Sequence, residues 1–375
     1  MVIKRILQEE IFRRITPGKV IIIYGARRVG KTFLLRELVN SFEGKTLLLN
    51  GEDYDVQSML ANRSVANYRH LFNGVDLLAI DEAQNIPEIG NVLKLIVDEI
   101  DGIRVVASGS SSFDLLNKTG EPLVGRSVKF QLPPLSSKEI SSVETPFEMK
   151  QNLELRMLYG SYPEVVTMLN NDERIEYLRE IVDSYLLKDI LAVDGIKNAS
   201  KMQNLLRLIA LQVGSEVSYD ELGTQLGISK NTVERYLDLL SKVFVVYRVG
   251  AFARNLRKEV CKAGKWYFYD NGVRNAIINN FSPLALRNDV GSLWENYFIS
   301  ERRKYIYNNH KHIEQYFWRT YDKQELDLVE ECDGKLFAME IKWGNKTPKL
   351  PIVFANAYKE VEYQVINRDN YLYWV

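Results

Sequence analysis

Apolar positions along the chain change their spacing twice. From Val20 to Leu132, short apolar runs alternate with amphipathic stretches: Val20-Ile-Ile-Ile-Tyr24, Phe33 to Val39, Lys45-Thr-Leu-Leu-Leu-Asn50, Val75 to Ile80, Arg104 to Ser108 and Ser127 to Leu132. Continuous apolar runs bounded by turn residues read as strands buried on both faces, and strand–helix alternation builds a parallel sheet covered on both sides. Ahead of it, Ile3, Ile6, Leu7, Ile11 and Phe12 form a helical stripe that Pro17-Gly18 stops. Pro133-Pro134 closes the alternation. The spacing then turns helical: Ile175, Leu178, Ile181, Val182, Tyr185, Leu186 and Ile190 share one face, and Gly160-Ser-Tyr-Pro163-Glu164 reads as a turn between helices with no chemistry of its own. Beyond Asp289 the pattern predicts a helix to Tyr305, then strands over Glu314 to Trp318, Glu325 to Val329 and Leu336 to Lys342. Asp333-Gly334 between the last two is a hairpin signal.

The expected fold class is α/β, with a parallel sheet domain over 1–135, a helical linker or lid over 136–200, a helix-turn-helix unit over 201–284 and a small α/β domain over 285–375. A chain of 375 residues exceeds one ordinary core, which agrees with several units. Lys+Arg and Asp+Glu both total 49, so no overall charge announces a polyanionic partner, although a local excess can hide in that balance. Apolar runs such as Val20 to Tyr24 fall far short of the ~20 residues a bilayer span needs, and the first residues are amphipathic rather than signal-like. A cytoplasmic protein without a membrane partner is expected. Cys261 and Cys332 are far apart with no Cys-x-x-Cys, so neither a disulfide framework nor a zinc site is indicated.

The chemistry concentrates at Gly25-Ala-Arg-Arg-Val-Gly30-Lys31-Thr32, between the first strand and the next helix. Phosphates need a row of backbone N–H groups and the positive end of a helix, and glycines at both ends let the loop wrap closely. Gly25, Arg28, Gly30, Lys31, Thr32 and Phe33 are the expected nucleotide contacts. Lys31 would reach the β- and γ-phosphates, and Thr32 would hold Mg²⁺. Arg27, also within the loop, could touch phosphate, a partner subunit or nothing. Four apolar residues, Leu77 to Ile80, deliver Asp81 and Glu82 to a strand end; Asp81 would bind the Mg²⁺ of ATP and Glu82 would deprotonate the attacking water. Ser110, with Ser111, sits where a polar group could meet the γ-phosphate or simply cap a helix. Arg126 is a candidate for stabilising transition-state charge, in its own subunit or in a neighbour of a homo-oligomer.

Two further patterns carry chemistry. Ser218-Tyr-Asp-Glu221 opens a helix, Gly227-Ile228-Ser229 turns the chain, and Lys230 to Leu240 continues as a second helix, followed by strands Phe244 to Val249 and Lys265 to Tyr269: a winged helix-turn-helix. Between Ser229 and Lys265, nine basic residues face three acids, a footprint suited to double-stranded DNA, with Lys230, Asn231, Arg235, Arg254 and Arg257 as contacts. Winged helices also serve as packing modules. In the last segment, Asp327, Glu340 and Lys342 fall on one face of the hairpin, since residues two apart do so; the carboxylates suit a second Mg²⁺ or Mn²⁺ and the lysine could align a water. His310 and His312 read as surface residues.

The order of strands around the acidic pair resembles the additional-strand class of P-loop ATPases that includes the AAA group, in which a polar residue at the position of Ser110 senses nucleotide state. The hairpin is similar to the PD-(D/E)xK nuclease superfamily, which implies Asp327, Glu340 and Lys342 as metal and catalytic positions and Glu295 as the first-helix glutamate; the Glu-Leu-Asp motif departs from Pro-Asp, and the superfamily's fold occurs with and without cleavage. Taken together, GARRVGKT, LLAIDEAQ, VASGSSS, LVGRSVKFQLPPLS, GSYPEVV, SYLLKDIL, TVERYLDLL, KWYFYDNGVRNAI, WENYF and ELDLV with AMEIKWG resemble prokaryotic AAA-type ATP-binding proteins with a C-terminal domain of unknown function. The resemblance implies ATP binding and hydrolysis, a winged-helix middle and a restriction-endonuclease-like end. Two functions follow as expectations: a Mg-dependent ATPase coupled to DNA binding or remodelling, or a nucleotide-dependent protein-interaction switch whose later domains are structural.

Overall fold

A computed structural model describes residues 2–110, 123–186, 198–253, 264–320 and 323–375. Strands β1 (Val20–Tyr24), β2 (Thr46–Asn50), β3 (Leu77–Asp81), β4 (Arg104–Gly109) and β5 (Ser127–Gln131) form a five-stranded parallel sheet in the order β2-β3-β4-β1-β5. Alternate residues of β1 feed opposite faces: Ile21 and Ile23 pack with Leu34, Leu35 and Leu38 of the helix Lys31–Asn40, while Val20 and Ile22 pack with Leu93 and Ile96 of the helix Ile89–Glu99. Burial on both faces is why these strands read as unbroken apolar runs. All five strands run the same way, so the loop after β1 and the acids after β3 emerge at one edge, separated by β4.

The second sheet has six strands in the order β11-β10-β9-β8-β6-β7: β6 (Val246–Ala251), β7 (Lys265–Phe268), β8 (Glu314–Arg319), β9 (Glu325–Cys332), β10 (Lys335–Ile341) and β11 (Val361–Ile366). The pair expected as a wing, β6 and β7, is antiparallel, but β6 also pairs in parallel with β8 through Gly250↔Tyr316 and Ala251↔Phe317. One sheet therefore crosses the boundary expected at 284. Periodicity within a strand carries no information on which distant edge it will meet.

The turn helices form as the capping signals require. Ser218 accepts from the Glu221 N–H, Gly227 closes the helix Tyr219–Leu226 in the left-handed region (φ 62°), and Ser229 accepts from the Thr232 N–H to start Lys230–Lys242. The apolar face expected from Ile175 begins on the helix Asn171–Glu180 and continues with Ile181 and Val182 at the start of a π-helical turn, Ile181–Leu186; the side chains of Tyr185 and Leu186, and Ile190, lie outside what is described. The helix Val290–Asn308 docks the terminal sheet onto the end of the first domain: Glu301 accepts from the Ser137 N–H at 2.5 Å and from Lys304 Nζ at 2.6 Å, and Lys304 also donates to the Leu135 carbonyl at 3.0 Å.

Candidate functional site

The loop after β1 is held from three directions. Gly25 leaves no room for a side chain, because a Cβ there would lie 2.3 Å from the Leu132 carbonyl oxygen. Arg28 and Gly30 both take positive φ (65° and 97°), curling the backbone toward the start of the helix Lys31–Asn40. Arg5, which the sequence pattern does not single out, is buried and spends its guanidinium on the Val29 carbonyl (2.8 Å), the Pro133 carbonyl (2.7 Å) and Glu139 Oε1 (2.8 Å). Such a fork binds several acceptors in one geometry, and here it locks the loop to the segment after β5.

Lys31 is 4% exposed, and its ammonium donates to the carbonyls of Gly25 (3.0 Å) and Ala26 (2.9 Å). It opens onto a cavity of ≈ 650 Å³. Arg27, Arg28, Gly30, Lys31, Thr32 and Arg36 line it, together with Glu82 and with Pro163, Glu164 and Tyr177 from later in the chain. Several cations beside a helix N-terminus favour a polyanion. The turn Gly160–Glu164 thus does contribute to the site, against expectation, by placing Pro163 and Glu164 on the cavity wall. Burial and the neighbouring Glu164 push the Tyr177 hydroxyl pKa up.

Asp81 and Glu82 are tied together through Ser108. The Ser108 hydroxyl accepts from the Glu82 N–H at 3.3 Å and donates to Asp81 Oδ1. Ser108 pairs with Ile23 of β1, so the acids stand level with the end of the strand that feeds the loop. Glu82 adopts φ 48°, ψ 42°, a left-handed conformation that costs a non-glycine residue of order 1–3 kcal/mol and persists only where its surroundings over-determine it. Gly51 supplies part of that constraint: its N–H donates to the Asp81 carbonyl at 2.7 Å, and a Cβ on it would lie 2.5 Å from the Glu82 carbonyl oxygen. Ser110 is buried at the end of β4, and its N–H donates to Gln84 Oε1 at 3.3 Å; Ser111 lies outside the described residues.

Arg126 does not join this cavity. Its carbonyl accepts from Val20 N–H at 2.7 Å, which fixes it at the beginning of β1, and its Nε is paired with Asp98 Oδ1 at 2.6 Å. A five-residue strand separates it from the loop, ~16 Å at ~3.3 Å per residue. The expected role within its own subunit is therefore corrected: adjacency to a strand is legible in sequence, but Arg126 precedes its strand, whereas ligands gather where strands end.

The second cluster is held by ion pairs. Lys342 Nζ lies 3.1 Å from Asp327 Oδ2 and 2.8 Å from Glu340 Oε1, and Asp327 Oδ2 also accepts from the Ile341 N–H at 2.7 Å. Burial works against the Lys342 charge, yet the two carboxylates hold its pKa above the ordinary lysine value. Glu295 accepts from the Tyr267 hydroxyl at 2.6 Å and lies 3.5 Å from Nζ of Lys265, a buried residue on β7 that also pairs with Glu325. Burial, with Asp327 adding to it, pushes the Glu295 pKa up to about 7. The Lys342 ammonium bridges Asp327 and Glu340, while Glu340 Oε2 is buried with no hydrogen-bond partner; among the described residues no group of three His, Cys, Asp or Glu is placed to hold a metal ion. Asp327 and Glu340, with Glu295 beside Lys265, thus stand in an ionic network, and a second metal site is not shown.

Lys230, Asn231 and Arg235 are exposed along one side of their helix, while Val233, Tyr236, Leu237 and Leu240 pack inward. Lys230 pairs with Asp220 at 2.9 Å on the surface. Arg254 and Arg257 lie outside the described residues, as does Cys261.

Residues 17–141 match the family described as AAA domain, residues 150–284 a domain of unknown function (DUF8612) and residues 290–373 another (DUF4143). An uncharacterized protein of Mycobacterium tuberculosis is 27% identical over 334 residues, 88% of this chain and 71% of the relative. One of Methanocaldococcus jannaschii is 23% identical over 382 residues, 90% of this chain and 84% of the relative. Among solved structures, a signal transduction ATPase with numerous domains and a tetratricopeptide repeat sensor, from Pyrococcus horikoshii, aligns at a TM-score of 0.32 and 14% identity, over 81% of this chain and 45% of its own. The Thermotoga maritima RuvB Holliday junction branch migration motor aligns at 0.34 and 15%, over 66% and 90%.

Proposed function

We propose, from the premise that the first sheet is an AAA-type P-loop domain, that this protein binds and hydrolyses Mg·ATP and couples the nucleotide state to double-stranded DNA. The observation that carries the reading is that Lys31, Thr32 and Glu82 face one cavity at the carboxyl edge of the sheet. The loop amides and Lys31 bind the phosphates, Arg27, Arg28 and Arg36 add positive charge around them, and Glu82 takes the proton of the attacking water. Thr32 and Asp81 would hold Mg²⁺, which when bound neutralises charge on the phosphate oxygens.

Coupling to DNA rests on the exposed side of Lys230–Lys242, where Lys230, Asn231 and Arg235 project from the second helix of the turn unit. Duplex DNA is expected to raise the steady-state ATPase rate of the wild type. Lys230→Glu with Arg235→Glu should weaken duplex binding and lower the slope of log K against log salt by about 2, one for each DNA phosphate that is no longer neutralised. Unchanged affinity and slope across salt concentrations would remove this contact set. The Asp327–Lys342–Glu340 ion pairs and the shared six-stranded sheet support a structural task for the terminal domain, the arrangement that a nucleotide-dependent interaction switch would also use.

A further inference from the structure

Gln84 occupies the short turn Ala83–Asn85 that follows Glu82, and its carboxamide spans two elements. Nε2 donates to Glu82 Oε2, and Oε1 accepts from the Ser110 N–H at 3.3 Å. Those partners fix the amide's orientation, since a flipped group would set oxygen against carboxylate and NH₂ against N–H. Ser110 is 1% exposed and follows Gly109, the residue paired with Tyr24 immediately before the phosphate loop. The amide therefore connects the acid to the backbone leaving the neighbouring strand.

A glutamate's terminal torsion is broad, so a lone carboxylate samples many orientations. A general base must aim one oxygen at its water. We infer that Gln84 is a positioning residue for ATP hydrolysis: it holds Glu82 Oε2, leaves Oε1 to receive the proton, and ties that aim to the position of Ser110. This role rests on the hydrolysis reading above.

The test compares kcat and KM for ATP, and the affinity for a non-hydrolysable ATP analogue, in wild type, Gln84→Leu and the near-isosteric Gln84→Glu. Both variants should lose about 10-fold or more in kcat, part of the 10²–10⁴ that a positioned acid–base group contributes, with KM and analogue affinity within about 2-fold of wild type. Because the residue acts through Glu82, Gln84→Leu should slow Glu82→Gln no further. Wild-type kcat in both single variants, a parallel loss of affinity, or an additional 10-fold loss in the double variant would overturn the role while leaving the hydrolysis reading intact. A wild type no faster than Glu82→Gln would overturn both.

Discussion

Glu82→Gln is expected to cut steady-state ATP turnover by about 100-fold or more while nucleotide affinity stays within about 3-fold of wild type. The substitution keeps the shape of the side chain and its acceptor toward Gln84, and Ser108 still holds the backbone N–H, so the turn survives. Only the proton acceptor is lost. On the proposed reading, affinity comes from the loop, Lys31 and Thr32, which line the same cavity. Phosphate release and equilibrium binding, measured on the same preparations, check the two halves; equal turnover would place the chemistry on another group.

Gly160→Ala is expected to destabilise the fold by about 3 kcal/mol, since overpacking costs typically ~1–3 and the backbone there, φ 74° and ψ −159°, lies in a region essentially confined to glycine that costs other residues of order 1–3. Gly160 takes φ +74°, and a Cβ there would lie 1.9 Å from Asp270 Oδ1. Asp270 has little freedom to yield. It is buried and accepts from the N–H groups of Ser161 (2.7 Å), Gly272 (2.8 Å) and Val273 (3.2 Å), joining this turn to the start of the helix Asn271–Ile277. Displacing it leaves buried donors unpaired. Pro163 and Glu164 follow within the same turn, so nucleotide affinity should fall with stability. The midpoint of chemical denaturation reads the first effect; a variant as stable as wild type would show that the turn does not depend on this close approach.

The contrast between that turn and the phosphate loop shows what the chain discloses by itself. The loop is legible because its chemistry is local: glycines, lysine and threonine at fixed spacing between an apolar run and a helix. Gly160-Ser-Tyr-Pro163 looks like punctuation, since its partner Asp270 is 109 residues from Ser161 and its place on the cavity wall depends on packing. Arg5 escapes notice for the same reason. On an amphipathic segment it resembles a surface charge, yet its acceptors lie 24, 128 and 134 residues away. Lys265 counts toward a basic stretch in the sequence, but β7 carries it into the acids of the terminal sheet, where it is 2% exposed. The hairpin spacing of Asp327, Glu340 and Lys342 brings them together, while the bridging position of the ammonium is a matter of side-chain geometry alone.

The most direct measurement is a calorimetric titration of the whole protein with ATP, with and without Mg²⁺, beside Lys31→Ala. Saturable binding by wild type that weakens about 10-fold or more on loss of the ammonium, equivalent to ~1.4 kcal/mol, is the expected result, with a further dependence on Mg²⁺. Equal affinity in wild type and Lys31→Ala, or no binding by wild type, would contradict the assignment of this cavity to a triphosphate.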